Sequence, residues 1–422
     1  MEKRKIMSFA PLLLCAIFMA SCASGGTSVA SSNTTTTSSA GTTSSTATST
    51  ATSTSTTTST GDGTISGTYS ESTSKSVTYT STNAGAGTAA ETLSGRYVIT
   101  GDCTVTGGTW SSTTGHQAVF LVVGSGNLTI KNATIVKSGT PSSVGDDQNF
   151  YGLNSAVVAA GSSAKITMSG CTETPSSAGS NAIFSGAGAS ITASGMSITT
   201  AGSNSVAVAT DRGGGTVTVA GTASSPCTLT TAGNDSPCLY STGKIVATYC
   251  TGSAAASQAM VIEGSNVIKV DNCTLSGKNR ASGYSCDWGA IMLYQSMSND
   301  SVGGEPTLEL IDSTITNLDT AAPIFYVTNA KATIYIENST LNNDSGNGQF
   351  LSTLTTRWTS TDETAIFYLI SETLGSQSVN LANSSTSVLT TYLYSSSVTW
   401  SNSGSGTLNA STSLSAAPTL PY

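Results

Sequence analysis

The chain has 422 residues, of which only 9% are charged and 37% hydrophobic, and 43 are glycine. An average globular domain is roughly 25% charged, so the chain is unusually neutral. Its net charge of −8 comes without basic runs in the body of the chain, which excludes the clustered Lys and Arg that nucleic acid demands. Ser, Thr, Gly, Ala and Asn fill most of the rest. Such residues suit strands and tight turns better than helices.

Residues 1–21 form an address. Lys3, Arg4 and Lys5 precede the apolar run "IMSFAPLLLCAIFMA", which is too short and too early for a membrane span. "MASC", Met19 to Cys22, then resembles the lipobox of bacterial lipoproteins, with Met19 where Leu is usual. The resemblance implies cleavage before Cys22 and its lipidation. The alternative is an ordinary signal peptide with a chance cysteine. Several acyl chains, at about 0.8 kcal/mol per buried CH₂, hold a protein stably where one chain does not. Ala23 follows Cys22 in place of Asp, which under the sorting pattern of these lipoproteins favours the outer membrane.

Residues 22–61 are a Ser/Thr-rich tract with almost no large apolar side chain. Burial there cannot offset the entropy of ordering, so a disordered tether is expected, with a mean reach of roughly 35 Å.

Residues 62–422 repeat. "NLTIKNATI", "KITMSGCTE", "SITASGMSI", "VIKVDNCTL", "TLELIDSTI" and "TIYIENSTL" align, with looser copies at "TVTVAGTAS" and "KIVATYCTG". Their first apolar residues are Leu128, Ile166, Ile191, Val217, Ile245, Ile268, Leu308 and Ile334. Most steps between them cluster near 25 residues, and the two longer ones read as ordinary steps carrying insertions. Apolar and polar residues alternate, as in a strand with one buried face. A second strand recurs between copies, at "AVVAA", "AIFSG", "VAVATD", "AMVIEG", "AIMLYQ" and "PIFYVTN". The fold expected is all-β: a single-stranded right-handed parallel β-helix of roughly 14 coils, each buried only by stacking on its neighbours. An antiparallel sandwich would not give this recurrent length.

The repeats resemble the pectate-lyase-like β-helices of secreted bacterial proteins, in particular the adhesin-like surface proteins of that group. The resemblance spans about Thr78 to the end and rests on the "NATI", "GCTE", "NCTL", "DSTI" and "NSTL" coils, with "ATDRGGGTVTV" and "IFYVTNAKATI". Members of this fold that cleave acidic polysaccharides use paired carboxylates, or Ca²⁺ with a basic residue. Their motifs are missing here: the Asn-Thr-Asp, Gly-His-Gly and Arg-Ile-Lys set, and Arg-x-Pro-x-x-Arg. The lone His116 has no nucleophile elbow beside it.

Cys171, Cys250 and Cys273 occupy one slot of the repeat, which elsewhere takes Ala133, Met196, Ser313 and Ser339. That set reads as a small inward position, where Cys packs as a hydrophobe. Cys227 and Cys238 are the best-placed disulfide pair, and Cys286 is a possible free thiol. No CxxC or His-rich spacing suggests zinc.

Two insertions, from Ser138 and from Ser276, fall at the same point of their coils and should emerge along one edge. They carry Asp146, Asp147, Phe150, Tyr151, Lys278, Arg280, Tyr284, Asp287 and Trp288, the candidate ligand-binding residues. Aromatic rings beside hydrogen-bonding groups suit sugar recognition, and solenoid loops often carry it. The plainer alternative is that these loops cover their own hydrophobic gaps. Asp211, Glu263, Gln295 and Asn329 end successive second strands and are expected to stack as a polar ridge, where a cation such as Ca²⁺ is conceivable. No cofactor or metal is otherwise called for. The expectation is a monomeric, non-enzymatic lipoprotein at the bacterial cell surface, membrane-attached through Cys22 and contacting glycans or a neighbouring or host cell surface through a long uncharged face. A polysaccharide lyase or hydrolase, and a passive envelope spacer, are the alternatives.

Overall fold

The computed structural model describes residues 56–60, 63–80, 88–142, 146–279, 288–296, 304–344, 346, 348–353 and 362–422. The lipobox with Cys22, the tether up to residue 55, and Arg280, Tyr284, Cys286 and Asp287 lie outside them. The tract assigned to the tether ends in a strand, Thr56–Thr60, paired antiparallel with Gly63–Gly67.

The chain is a parallel β-helix. Among the described residues, its strands join one large sheet wrapped about an axis and a separate sheet of 9 strands. Each coil visits three stacks. Sheet 1 holds strands such as Lys165–Ser169 and Val267–Asp271. Sheet 3 follows, with Thr172–Pro175 and Thr274–Gly277. Sheet 2 comes next, with Ile183–Gly186 and Ile291–Tyr294, before the chain returns to sheet 1.

The expected register is the observed one. Leu128 pairs with Ile166, Ile166 with Ile191, Ile191 with Val217, and Val217 with Ile245. Ile245 pairs with Ile268, Ile268 with Leu308, and Leu308 with Ile334. All eight are buried in one continuous core. Alternation fixes this: a slip of one residue would turn each apolar side chain outward.

The sheet 1 to sheet 3 corner is tight. In seven coils it is made by one residue in the left-handed region: Asn132, Gly170, Gly195, Tyr249, Asn272, Asp312 or Asn338, with φ between 46° and 62°. Gly107 and Gly108 share it in the first coil, and residues 221–226 make a longer turn in another. Gly and Asn meet this need at low cost. The next residue points inward and is the shared slot of the sequence repeat. Cys250 N–H donates to Cys273 Sγ at 3.3 Å, Cys273 N–H to Ser313 Oγ at 3.0 Å, and Ser313 N–H to Ser339 Oγ at 3.1 Å. The slot therefore does more than pack, because Cys273, Ser313 and Ser339 each also take a backbone N–H from the coil before them.

Cys227 and Cys238 are not a disulfide pair, since both are buried free thiols. Cys227 fills the corner slot and accepts the Met196 N–H at 3.2 Å, while Cys238 donates to the Leu229 carbonyl at 3.2 Å.

The rod is shorter than its length suggested. Sheet 1 has eleven rungs among the described residues, from Thr88–Thr106 to Ser387–Tyr394, before two short final strands. The difference lies in the insertions, in the C-terminal segment after Ser413 and at the N-terminal end. There Gly63–Thr80 and Thr88–Thr106 form a long antiparallel hairpin in place of coils. Ten rung spacings of about 4.8 Å give a rod of roughly 48 Å.

Candidate functional site

Both insertions leave between sheet 3 and sheet 2, one after Thr134–Lys137 and the other after Thr274–Gly277. They leave on one edge, as the repeat spacing implied, and their described residues Tyr151, Leu153 and Trp288 lie over the exterior of sheet 2. That exterior is apolar: Leu121, Val158, Phe184, Ala209, Val261, Met292 and Tyr326 form a second buried cluster outside the helix. Its cover comes from Val77 and Tyr79 of the hairpin, Tyr151 and Leu153 of the first insertion, and Trp288 of the second.

The first insertion contains a helix of six residues, Asp146–Tyr151. Asp146 and Asp147 open it. Phe150 lies under the Arg212 guanidinium, 3.8 Å from the ring centre, and its carbonyl accepts the Arg212 N–H at 3.1 Å. Tyr151 meets Tyr79 edge-on at 4.9 Å, and its carbonyl accepts the Tyr79 hydroxyl at 3.2 Å. In the second insertion Lys278 is exposed and Trp288 is buried, its N–H on Asn279 Oδ1 at 3.2 Å. Tyr151 and Trp288 thus cover apolar surface, while Phe150 borders an opening.

That opening is a narrow cleft lined by Asn149, Phe150, Asn181, Val206, Ala209, Asp211 and Tyr240. The Asn149 side-chain carbonyl is buried there without a hydrogen-bond partner. Below the cleft, the Tyr240 hydroxyl donates to Glu263 Oε2 at 2.6 Å, and the Tyr294 hydroxyl donates to the same oxygen at 2.7 Å. The two phenols are 3.0 Å apart. Burial first, and the Glu263 charge next, push both phenols well above their usual range. They act as donors and not as bases. The second Glu263 oxygen is buried without a partner.

The expected ridge is only half formed. Asp211 and Glu263 share a register position, with Thr242 between them, and Tyr294 continues it. Gln295 and Asn329 stand one residue further on, in the turn, where Asn329 Nδ2 donates to the Gln295 carbonyl at 2.8 Å. Tyr294 and Thr328 hold the Glu263 register position, and Gln295 and Asn329 follow them in the chain. Among the described residues no group of three or more His, Cys, Asp or Glu side chains is placed to hold a metal.

Sequence analysis missed Tyr240, Asn149 and Asn181. Tyr240 lies in "PCLYS", where Cys238 drew attention as a half-cystine. The alternation Leu239 inward, Tyr240 outward, Ser241 inward was the available signal.

The long uncharged face is the exterior of sheet 3. Thr109, Thr134, Thr172, Ser197, Thr228, Thr251, Thr274, Thr314 and Thr340 stand in one register column. The neighbouring outward column runs from Ser111 to Asn342, and neither carries a charge. No protein-family model, curated protein or solved structure matches the chain.

Proposed function

We propose that the chain is a non-enzymatic adhesin-like lipoprotein, held in the bacterial outer membrane through Cys22 and contacting glycans along its insertion edge. The observation that carries this is the cleft of Asn149, Phe150, Asn181, Asp211 and Tyr240. It combines an amide oxygen in need of a donor, a carboxylate and the aromatic rings of Phe150 and Tyr240. Those are the groups that orient a hydroxylated ligand. The cleft is narrow, so it suits one substituent of a sugar, with the rest of the glycan lying on the rod's surface. The neutral hydroxyl face of sheet 3 fits the same class of partner, because charged polymers would find no counter-charges there.

The test is binding of the purified chain to immobilised glycans. Asn149→Ala and Asp211→Asn should weaken capture at least tenfold, while Thr199→Lys with Thr230→Lys reports on sheet 3 separately. Binding that none of these variants changes, or no binding to any glycan, would defeat the proposal. A polysaccharide panel watched for unsaturated products or new reducing ends tests the lyase and hydrolase alternative. Asp211 and Glu263 are the relevant carboxylates, two rungs or roughly 9.6 Å apart. That separation sits at the upper end for inverting hydrolysis, and the tyrosines already engage Glu263. Cys22→Ser, with loss of acyl labelling, tests the anchor.

A further inference from the structure

Glu309 alternates outward on sheet 1, between the core residues Leu308 and Leu310, yet it is fully buried. Its cover is the last segment of the chain. Tyr422 N–H donates to Glu309 Oε1 at 2.9 Å. Lys269, opposite Glu309 in register, lies 3.3 Å from Glu309 Oε2 and donates to the Tyr422 backbone oxygen. Lys244 completes the site, with its ammonium 4.8 Å from the centre of the Tyr422 ring.

The segment reaching this site is a strap. Thr412 and Ser413 pair with Tyr392 and Leu393 at the far end of the rod, five rungs beyond Lys269. Five rungs span roughly 24 Å, and ten extended residues reach roughly 33 Å. No residue from Ser411 to Tyr422 is buried. Pro418 and Pro421 lack the N–H of a ladder strand and favour an extended form with little entropy left to lose. The strap is therefore tied at Tyr422 and open to solvent along its body.

We propose that Lys244, Lys269 and Glu309 form a peptide-docking site on the outside of sheet 1. Its resident occupant is this chain's Ser413–Tyr422 segment, and its second occupant is the same segment of another copy. Linked in one chain, the strap acts at an effective concentration in the millimolar range, so it outcompetes a free copy until its tip is released. The site then passes from an internal closure to a contact between molecules.

The probe is a fluorescent peptide of the Ser413–Tyr422 sequence with an amidated end, titrated into the full chain by anisotropy. The full-length Tyr422→Ala variant, whose own tip has lost its ring, should bind it at least tenfold more tightly than the wild type. Adding Lys269→Glu to that variant should abolish binding, and adding Glu309→Gln should weaken it by several fold. Circular dichroism checks that each variant keeps its strand content. Equal affinity for wild type and Tyr422→Ala, or no binding to Tyr422→Ala below about 1 mM, would overturn the proposal.

Discussion

Glu173 invites the sharpest test of the fold. It points into the core from the sheet 3 strand Thr172–Pro175, in register with Ile135 on one side and Ile198 on the other. It is fully buried, and neither carboxyl oxygen has a hydrogen-bond partner. Burial alone pushes its pKa from 4.5 to about 8. The folded value is raised, so the native state holds the proton. Its contribution is fully present below about pH 4.5 and is lost as pH rises through about 8. At 1.36 kcal/mol per unit, the loss approaches about 5 kcal/mol at the alkaline end. Even the neutral carboxyl, unpaired, costs about 1–3 kcal/mol. Glu173→Ile would complete an apolar column of Ile135, Ile198 and Leu229. The variant should gain about 1–2 kcal/mol near pH 4.5 and about 3 kcal/mol or more at pH 7. Urea unfolding of both proteins from pH 4.5 to 8 measures this, with hydrogen exchange over residues 133–200 locating the effect, because solenoid coils need not unfold together. Burial also lowers the pKa of His116, and that of Lys137 to about 8. Taking the difference between variant and wild type cancels both. A variant with the same pH slope as the wild type would mean that the carboxylate is hydrated or paired, and the reasoning would fail.

The corner ladder predicts that Ser313→Ala, which strands the Cys273 N–H, costs about 1–3 kcal/mol. Ser313→Cys should cost less in the same denaturation assay. At the left-handed corner, Asn272→Ala should lower stability by about 1 kcal/mol and Asn272→Gly should be nearly neutral, compared by thermal melting. Tyr240→Phe leaves Glu263 with one of its two phenol donors, and a loss of about 1–3 kcal/mol is expected by urea titration. Gly152 has φ +67° and would place a Cβ 2.5 Å from the Phe184 ring. Gly152→Ala should loosen the first insertion, read as faster proteolysis near Phe150.

What could be read from the sequence was what repeats. The run from Leu128 to Ile334 fixed both strand identity and register, because each alternating segment has only one inward phase. The placement of both insertions followed from the same count. Single events were harder. Glu173 breaks the apolar column at only one rung, and its charge reads outward until the corner at Gly170 is known to reset the phase. Asp211 and Glu263 align while Gln295 and Asn329 stand one register position further on, behind Tyr294 and Thr328. The strap has no repeat to compare with, so nothing local showed that Tyr422 returns to Lys244. The Cys227–Cys238 pairing failed because sequence proximity ignores the rung. Cys227 belongs beside Cys250, its register partner on the next coil.

The two edges of the rod differ in what they allow. At the corner between sheets 1 and 3, a single left-handed residue sets the turn in seven coils, and the longest turn there spans residues 221–226. At the edge between sheets 3 and 2, the connection ranges from short turns to a segment with its own helix, and the strands beyond it return to register. Length there is decoupled from the core. New recognition surfaces can therefore be gained at that edge by simple insertion, while losing one also requires a change in the apolar exterior of sheet 2 that it covers. A molecule built this way separates the part that must stay constant from the part free to diversify.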